Sequence, residues 1–193
     1  GPFRNYTKKQ LQHVTKEQAL NHPCWEMGAK VTIDSSTLMN KGLEMIEAKW
    51  LFDISPSQIE VVVHPETIVH SMVEFEDTSV IAQMGMPDMR IPIQYAFTYP
   101  HRVRSNFEPT NFFQLSNLTF EQPNQKVFSN LSLAYSAINK GGNMPCILNA
   151  ANEIAVENFL KDRVSFLDMS NLLELTMQKA SFIEKPSLCD YFE

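Results

Sequence analysis

The densest group of polar side chains lies in residues 34–44, Asp-Ser-Ser-Thr-Leu-Met-Asn-Lys-Gly-Leu-Glu. A helix would place Asn40, Lys41 and Glu44 on one face, because residues three and four positions apart are neighbours on a helix surface. Ser35 is predicted at the start of that helix, where free N–H groups and the helix dipole favour an anion. This set would suit a phosphate monoester, and Glu44 could bind a divalent cation. The alternative is a capped surface helix with one ordinary Lys–Glu pair.

A second polar segment, residues 22–28, reads His-Pro-Cys-Trp-Glu-Met-Gly. His22 and Trp25 in such a loop could form a lid over a substrate, with Gly28 permitting close backbone approach. The alternative is a hydrophobic loop anchored by Trp25.

His64, Glu66 and His70 have the same parity and would share one face of a continuous strand, as metal ligands could. Pro65 is expected to interrupt that strand, and histidines in sheets more often serve as hydrogen-bonding groups. The hydrogen-bonding role is therefore favoured over a metal site.

The framework predicted for these side chains is α+β. Residues 31–33 are predicted as a short strand, followed by a helix from Asp34 to about Phe52, because Asp and Ser are good helix caps. Residues 59–63 form the clearest strand of the chain, and residues 68–75 and 80–84 predict a hairpin. The expected result is a central sheet of at least three strands with a helix against one face.

The second half of the chain is predicted to be mainly helical. A Pro-containing loop leads to a short helix that ends near Tyr99, and an irregular segment follows. The periodicity then predicts three helices, over residues 131–140, 148–162 and 168–179. The resulting division is a central catalytic domain in residues 1–98 with a mobile loop in about residues 1–30, a linker in residues 99–124, and a small all-helical domain in residues 125–193.

Composition excludes several classes of protein. The 193 residues include 16 basic and 22 acidic ones, a net charge of −6, which argues against a nucleic-acid partner. No apolar run approaches the ~20 residues of a membrane span, so no membrane association is expected. Three cysteines without metal-ligand spacing indicate a reducing compartment. No glycine-rich phosphate loop or dinucleotide fingerprint occurs, so the main domain for any nucleotide cofactor is expected outside this chain.

Six segments, in this order, resemble the 1-deoxy-D-xylulose 5-phosphate reductoisomerase family. They cover nearly the whole chain but only about the second half of the family's length. They are His-Pro-x-Trp-x-Met-Gly-x-Lys-x-Thr-Ile-Asp-Ser at 22–35, Met-Asn-Lys-Gly-Leu-Glu at 39–44, Ile-Glu-Val-Val-Val-His-Pro at 59–65, His-Ser-Met-Val-Glu-Phe at 70–75, Pro-Asp-Met-Arg at 87–90 and Leu-Asn-Ala-Ala-Asn-Glu at 148–153.

The resemblance implies an activity in isoprenoid precursor synthesis by the non-mevalonate route. The family isomerises 1-deoxy-D-xylulose 5-phosphate and reduces the product with NADPH to 2-C-methyl-D-erythritol 4-phosphate. A divalent cation, Mg²⁺ or Mn²⁺, would stabilise negative charge on the substrate oxygens as a Lewis acid. A homodimer formed through the exposed central sheet is implied, as is location in a bacterial cytoplasm, with the plastid stroma as the alternative.

The resemblance also implies roles for individual residues. Ser35, Asn40 and Lys41 would bind the substrate's phosphate and hydroxyl groups, and Glu44 would bind both metal and substrate. Catalytic roles are expected for Glu44, Lys41 and His22, the last as the substrate contact of the mobile loop. The remaining residues would complete the pocket: Trp25 and Met27 as the apolar cover of the loop, Gly28 as a backbone contact to NADPH, and Pro87 and Met89 as the neighbouring wall of the cofactor pocket.

Other parts of the family pattern are expected upstream of Gly1. These are a serine, two further metal carboxylates, a substrate lysine and the Rossmann-like NADPH-binding domain of the parent enzyme. The helical domain is expected to be truncated at its far end, and this chain alone is expected to be inactive. Ser36 and Thr78 depart from a common Ala and a common turn Gly, and Thr78 weakens the turn because β-branched residues tolerate positive φ poorly.

Two other functions stay open from the residues. One is a non-catalytic phosphosugar-binding or dimerisation module of the same family. The other is a metal-dependent sugar-phosphate lyase without a cofactor, which an NADPH requirement would exclude.

Overall fold

The structure is a computed structural model that describes residues 1–24 and 26–192. Helices dominate it, with one small sheet. The helices are α1 (Lys8–Leu11), α2 (Lys16–Leu20), α3 (Ala29–Thr37), α4 (Met39–Phe52), α5 (Arg90–Thr98), α6 (Ser129–Lys140), α7 (Met144–Leu160) and α8 (Phe166–Lys179), and the strands are β1 (Val69–Glu74) and β2 (Val80–Met84). Short 3-10 turns lie at Pro56–Gln58 and Cys189–Tyr191. None of the helices within the described residues has the length and apolarity needed to cross a bilayer.

The chain packs as two compact units. The first contains residues 1–61 and 123–193, and the second contains residues 62–122. These bounds differ from those of the predicted domains, because helices from both ends of the chain share the core of the first unit. The predicted division concerns roles within a complete protein and stays a prediction.

Apolar side chains from α3, α4, α6, α7 and α8 form the core of the first unit. Its fully buried members include one from each of these helices: Ile33, Met45, Leu131, Leu148 and Leu173. Helix α8 begins at a capping box in which Ser165 and Asp168 satisfy each other's backbone N–H groups. The three helices predicted after residue 130 are confirmed, with bounds that differ by up to four residues.

The predicted strand at residues 31–33 is wrong, because these residues lie inside α3. The helix begins at Ala29 rather than at Asp34. Ile33 is completely buried, and the Thr32 hydroxyl donates to the Gly28 carbonyl one turn back at 2.9 Å. Burial in the helical core therefore outweighs the modest strand preference of a β-branched run.

The predicted strand at residues 59–63 is also wrong. The residues at its two ends have partners outside the sheet: the Tyr135 hydroxyl donates to the Ile59 carbonyl at 3.2 Å, and Val63 forms a single antiparallel bridge with Glu121. The expected sheet of at least three strands is therefore a two-stranded sheet in the described part of the chain. A short apolar run does not by itself distinguish a strand from a buried connection.

The predicted hairpin is confirmed in the second unit. Strands β1 and β2 are antiparallel, with Val73 opposite Ile81 and Glu74 opposite Val80. The turn closes with a hydrogen bond from the Thr78 N–H to the Phe75 carbonyl at 2.9 Å, and Thr78 has a φ of +68°. The short helix before Tyr99 is confirmed as α5.

Candidate active site

The predicted helix over residues 34–52 is divided at Leu38, which has a φ of +64°. Ser35 therefore lies in the last turn of α3, and its predicted place at a helix start is wrong. The helix that begins beside it is α4, whose first turn carries Asn40 and Lys41. A non-glycine residue in the left-handed region is strained, and such strain often marks a functional segment.

The predicted polar face of α4 is present. The Asn40 side-chain amide donates to Glu44 Oε1, and the Lys41 ammonium donates to Glu44 Oε2, both at 2.6 Å. The Lys41 and Glu44 side chains are 45% and 49% exposed, so a ligand in solvent can reach them. The Asn40 and Lys41 donors could bind an anion, and the Glu44 carboxylate could give an oxygen ligand to a cation.

His22 lies within hydrogen-bonding distance of Ser35, with Nε2 3.1 Å from the hydroxyl oxygen. The Cys24 N–H donates to His22 Nδ1 at 3.2 Å, which assigns the proton of the neutral ring to Nε2. His22 then donates to the Ser35 oxygen, and the Ser35 proton stays available for an acceptor. Burial lowers the pKa of His22, which favours this neutral form.

Of the other residues assigned to the mobile loop, the structure describes two. Trp25 lies outside the described residues. Met27 is half-buried, and Gly28 is the N-cap of α3. A Cβ atom at Gly28 would meet no other atom within 4 Å, so the backbone here is open to close approach.

Pro87 and Met89 belong to the second unit. Met89 is 57% exposed and lies directly before α5. The neighbouring Arg90 guanidinium donates to both carboxylate oxygens of Asp88, at 2.5–3.0 Å. The Arg90 backbone N–H also donates to Asp88 Oδ1, at 2.9 Å.

The histidines near the hairpin have separate hydrogen-bonding partners. His64 Nδ1 lies 2.8 Å from the Thr119 carbonyl oxygen, and His70 Nε2 lies 3.0 Å from the Gly85 carbonyl oxygen. No group of three or more His, Cys, Asp and Glu side chains within residues 1–24 and 26–192 could hold a metal ion. These contacts agree with the hydrogen-bonding role.

A buried ionic network that the sequence analysis did not identify lies directly before Ser35. The Asp34 carboxylate is 1% exposed; it accepts from the Asn152 amide at 2.8 Å and pairs with Lys30 at 2.7 Å. Lys30 also pairs with Glu153 at 3.1 Å. The i, i+4 spacing of Lys30 and Asp34 is the one signal in the sequence that could have indicated it.

Opposing effects act on the charges of this network. Burial raises the pKa of Asp34, although the hydrogen bonds from Asn152 and Lys30 oppose that rise. Burial also works against the charge of Lys30, but hydrogen bonds to Asp34 and Glu153 outweigh it and raise the pKa of Lys30. The network therefore pairs a buried acid with a lysine, while burial opposes the ionised form of that acid.

Two family models match the chain. The model described as DXP reductoisomerase C-terminal domain matches residues 84–193, and the model described as 1-deoxy-D-xylulose 5-phosphate reductoisomerase C-terminal domain matches residues 1–52. Together they include the candidate site residues of both units.

Curated relatives and solved structures agree with these models. A 1-deoxy-D-xylulose 5-phosphate reductoisomerase from Phocaeicola vulgatus is 63% identical over 100% of this chain and 50% of its own length, and one from Porphyromonas gingivalis is 56% identical over the same shares. The chain thus spans about half the length of the curated relatives it matches.

Among solved structures, the reductoisomerase of Zymomonas mobilis in complex with NADPH superposes with a TM-score of 0.91 at 43% identity, covering 100% of this chain and 49% of that one. A DOX-P reductoisomerase in complex with NADPH, fosmidomycin and magnesium gives a TM-score of 0.90 at 44% identity, covering 93% and 44%. The α+β arrangement of helices with one small sheet is thus the arrangement of this part of those enzymes. The family models, relatives and structures together establish that the chain belongs to the 1-deoxy-D-xylulose 5-phosphate reductoisomerase family.

Proposed function

We propose that the complete protein to which this chain belongs converts 1-deoxy-D-xylulose 5-phosphate to 2-C-methyl-D-erythritol 4-phosphate, with NADPH and a divalent cation. The observation that supports this proposal is the set of polar groups on both sides of Leu38. Before Leu38, His22 lies within hydrogen-bonding distance of Ser35. After it, Asn40 and Lys41 donate to Glu44. Family membership supplies the reaction.

In this proposal the substrate phosphate is held by Ser35, Asn40 and Lys41. The ammonium of Lys41 supplies the charge, and charge-assisted hydrogen bonds to phosphate are among the strongest in proteins. Because the Ser35 oxygen accepts from His22, its own proton can be donated to another acceptor. A phosphate oxygen is an acceptor that this proton would suit.

His22 would contact substrate as well as orient Ser35, and Met27 with Trp25 would exclude water above it. Gly28 fits a backbone contact to NADPH, because its surroundings are open to a ligand. We assign Pro87 and Met89 to the cofactor pocket of the complete protein on the resemblance of their motif. NADPH supplies the hydride when it is bound.

This chain can supply one ligand to a divalent cation. Glu44 presents a half-exposed carboxylate, and Mg²⁺ prefers oxygen ligands of this kind. When bound, the cation would stabilise negative charge on substrate oxygens. Because one carboxylate holds such an ion weakly, we propose that the further ligands come from the rest of the complete protein and that this chain alone is inactive.

We further propose a homodimer formed through the β1–β2 sheet. Large exposed apolar patches mark interaction sites. Four apolar side chains that are 48–65% exposed lie along this hairpin: Val73, Phe75, Val80 and Ile81. The Phocaeicola and Porphyromonas relatives are bacterial, so we expect a bacterial cytoplasm as the location.

The test is NADPH oxidation by protein made from the complete reading frame, with 1-deoxy-D-xylulose 5-phosphate and Mn²⁺. Oxidation that requires both substrate and metal, and that stops when EDTA is added, supports the proposal. A folded protein that binds the phosphosugar without oxidising NADPH would instead be a non-catalytic module of the family. Metal-dependent cleavage without NADPH would identify a lyase.

A further inference from the structure

The three consecutive side chains at the end of α3 have partners in three different directions. The Asp34 carboxylate meets Asn152 on α7, and the Ser35 hydroxyl meets His22. The Ser36 hydroxyl donates to the Ala19 carbonyl on α2 at 2.8 Å. Successive residues of an α-helix differ in direction by about 100°. Rotation of α3 about its axis would therefore break the contacts on either side of Ser35.

The contacts of Asp34 and Ser36, on either side of Ser35, are buried. The contact between Ser35 and His22 belongs to the candidate site. Asp34, Ser36 and Asn152 are 1–2% exposed. A buried polar group that loses its partner costs about 1–3 kcal/mol, so these contacts resist rearrangement. The position of the Ser35 backbone, and with it the side of α3 from which its hydroxyl extends, is consequently fixed by groups that do not themselves reach a ligand.

From this arrangement we propose that Asp34 is a positioning residue, which directs Ser35 toward the substrate phosphate by anchoring α3 to Asn152 of α7, with Lys30 balancing its charge. The assignment rests on the proposed function, because it gives Ser35 the phosphate as its ligand. It adds Asp34, Asn152 and Lys30 to the site, although none of them is expected to touch substrate.

Stability alone does not account for an acidic residue at this position. Burial raises the pKa of Asp34, so its ionised form is less favourable inside the protein than in water. Asparagine would keep an acceptor for the Asn152 amide without the buried charge. What asparagine would lose is the acceptor for Lys30, whose 2.7 Å pair with Asp34 continues to Glu153 on α7, so one of the two links from Asp34 to that helix would be broken.

The test compares Asp34→Asn and Asn152→Leu with Glu157→Gln in the complete protein. Glu157 is a matched control because it lies on the same helix as Asn152 and pairs with Lys161 at the surface. For both test variants we expect the KM for 1-deoxy-D-xylulose 5-phosphate to rise about tenfold, as for loss of one good hydrogen bond. The KM for NADPH and kcat should stay within about twofold of wild type, because uniform binding of the phosphate is lost.

A thermodynamic cycle with Ser35→Ala separates positioning from general destabilisation. If Asp34 acts through Ser35, adding Asp34→Asn to Ser35→Ala raises the substrate KM no further. The proposal is overturned if the two substitutions raise the substrate KM multiplicatively. It is also overturned if the KM values for substrate and for NADPH change equally. The melting temperature of Asp34→Asn should not fall, and a large fall would indicate a merely structural residue.

A second readout does not depend on turnover. NMR of complete protein with isotope-labelled histidine gives the nitrogen chemical shift of His22 Nε2, which reports the hydrogen bond to Ser35. The His22→Gln variant assigns that signal. At one fixed pH where the ring is neutral, Asp34→Asn should move this signal in the direction that Ser35→Ala moves it, and Glu157→Gln should not. If wild type fails to oxidise NADPH but the signal moves, the proposed function is wrong and the positioning is supported. An unmoved signal overturns the positioning whatever the activity.

Discussion

At the scale of single residues, the site depends on which groups already have partners. Glu44 accepts from Asn40 on one carboxylate oxygen and from Lys41 on the other. A phosphate would compete with Glu44 for the Lys41 ammonium. A cation would compete with Lys41 for Glu44. Phosphate and cation binding therefore favour the same rearrangement, in which this ion pair separates.

The first prediction concerns Lys41. Lys41→Ala in the complete protein should raise the KM for 1-deoxy-D-xylulose 5-phosphate by about tenfold to a hundredfold, because one charge-assisted hydrogen bond is worth about 1.5–3 kcal/mol. Steady-state kinetics measures it. Lys49→Ala removes the same charge from the same helix and should leave KM unchanged. If KM and kcat of Lys41→Ala both equal those of wild type, the phosphate assignment is wrong.

The second prediction is the effect of pH on stability through His22. Burial lowers its pKa below the usual 6.5, so at acidic pH the unfolded chain binds a proton that the folded chain does not. The stabilising contribution is complete above pH 6.5 and is lost as the pH falls through the lower folded value. Unfolding measured at a series of pH values should show a smaller loss of stability in this window for His22→Gln. Equal losses in the two proteins would contradict it.

At the scale of secondary-structure elements, a close approach between two helices and a turn with positive φ each set a requirement on one residue. Helix α4 approaches α6 at Gly42, where a Cβ atom would lie 2.6 Å from the Ala134 Cβ. The hairpin turns at Thr78, whose φ of +68° suits glycine better. One position therefore requires glycine, and the other lacks it.

Gly42→Ala should accordingly destabilise the protein. The added methyl group overpacks the contact between α4 and α6, which typically costs about 1–3 kcal/mol, and the helix propensity of alanine returns less than about 1 kcal/mol. Thermal unfolding measures the change. Ala134→Gly in the same protein should restore part of the loss by making room for the new methyl group. Equal stability of wild type and Gly42→Ala would show that the two helices separate at little cost.

Thr78→Gly should have the opposite effect. Left-handed backbone costs a non-glycine residue about 1–2 kcal/mol, while the flexibility of glycine in the unfolded chain offsets about 0.5–1 kcal/mol of that. The expected gain is about 0.5–1 kcal/mol of unfolding free energy, measured by denaturant titration. Thr78→Ala keeps the strain and should show no such gain. A loss of stability in Thr78→Gly would mean that the threonine side chain stabilises the turn.

At the scale of the whole molecule, the feature that bears on assembly is the exposed apolar surface of the β1–β2 hairpin. Val73 and Ile81 face each other across the two strands and are 57% and 65% exposed. Pairing of two such surfaces would remove both from water, which is the physical reason for the proposed homodimer.

Val73→Asp should therefore convert the complete protein from dimer to monomer, because a buried unpaired carboxylate disfavours association. Sedimentation velocity measures the change in mass. Leu175→Asp is the matched control, since Leu175 is a similarly exposed apolar residue on α8 in the first unit. A dimer that persists in Val73→Asp places the interface elsewhere.

The sequence by itself determined the features that local chemistry dictates. The shared face of Asn40, Lys41 and Glu44 follows from helical spacing alone, and the hairpin follows from two β-rich runs around a polar turn. The family also follows from the sequence, because motifs of this length in this order are specific. These features need no knowledge of distant parts of the chain.

Only the tertiary structure decided the features that depend on distant residues. Residues 31–33 are helical because Ile33 is buried in a core built partly from α7 and α8. At the two ends of residues 59–63, Ile59 and Val63 bond to the distant residues Tyr135 and Glu121 instead of to the sheet. The anchoring of Asp34 by Asn152, 118 positions away, has no local signal. Burial and hydrogen bonding between distant residues outweigh local propensities of a few tenths of a kcal/mol, which is why local patterns alone could not predict them.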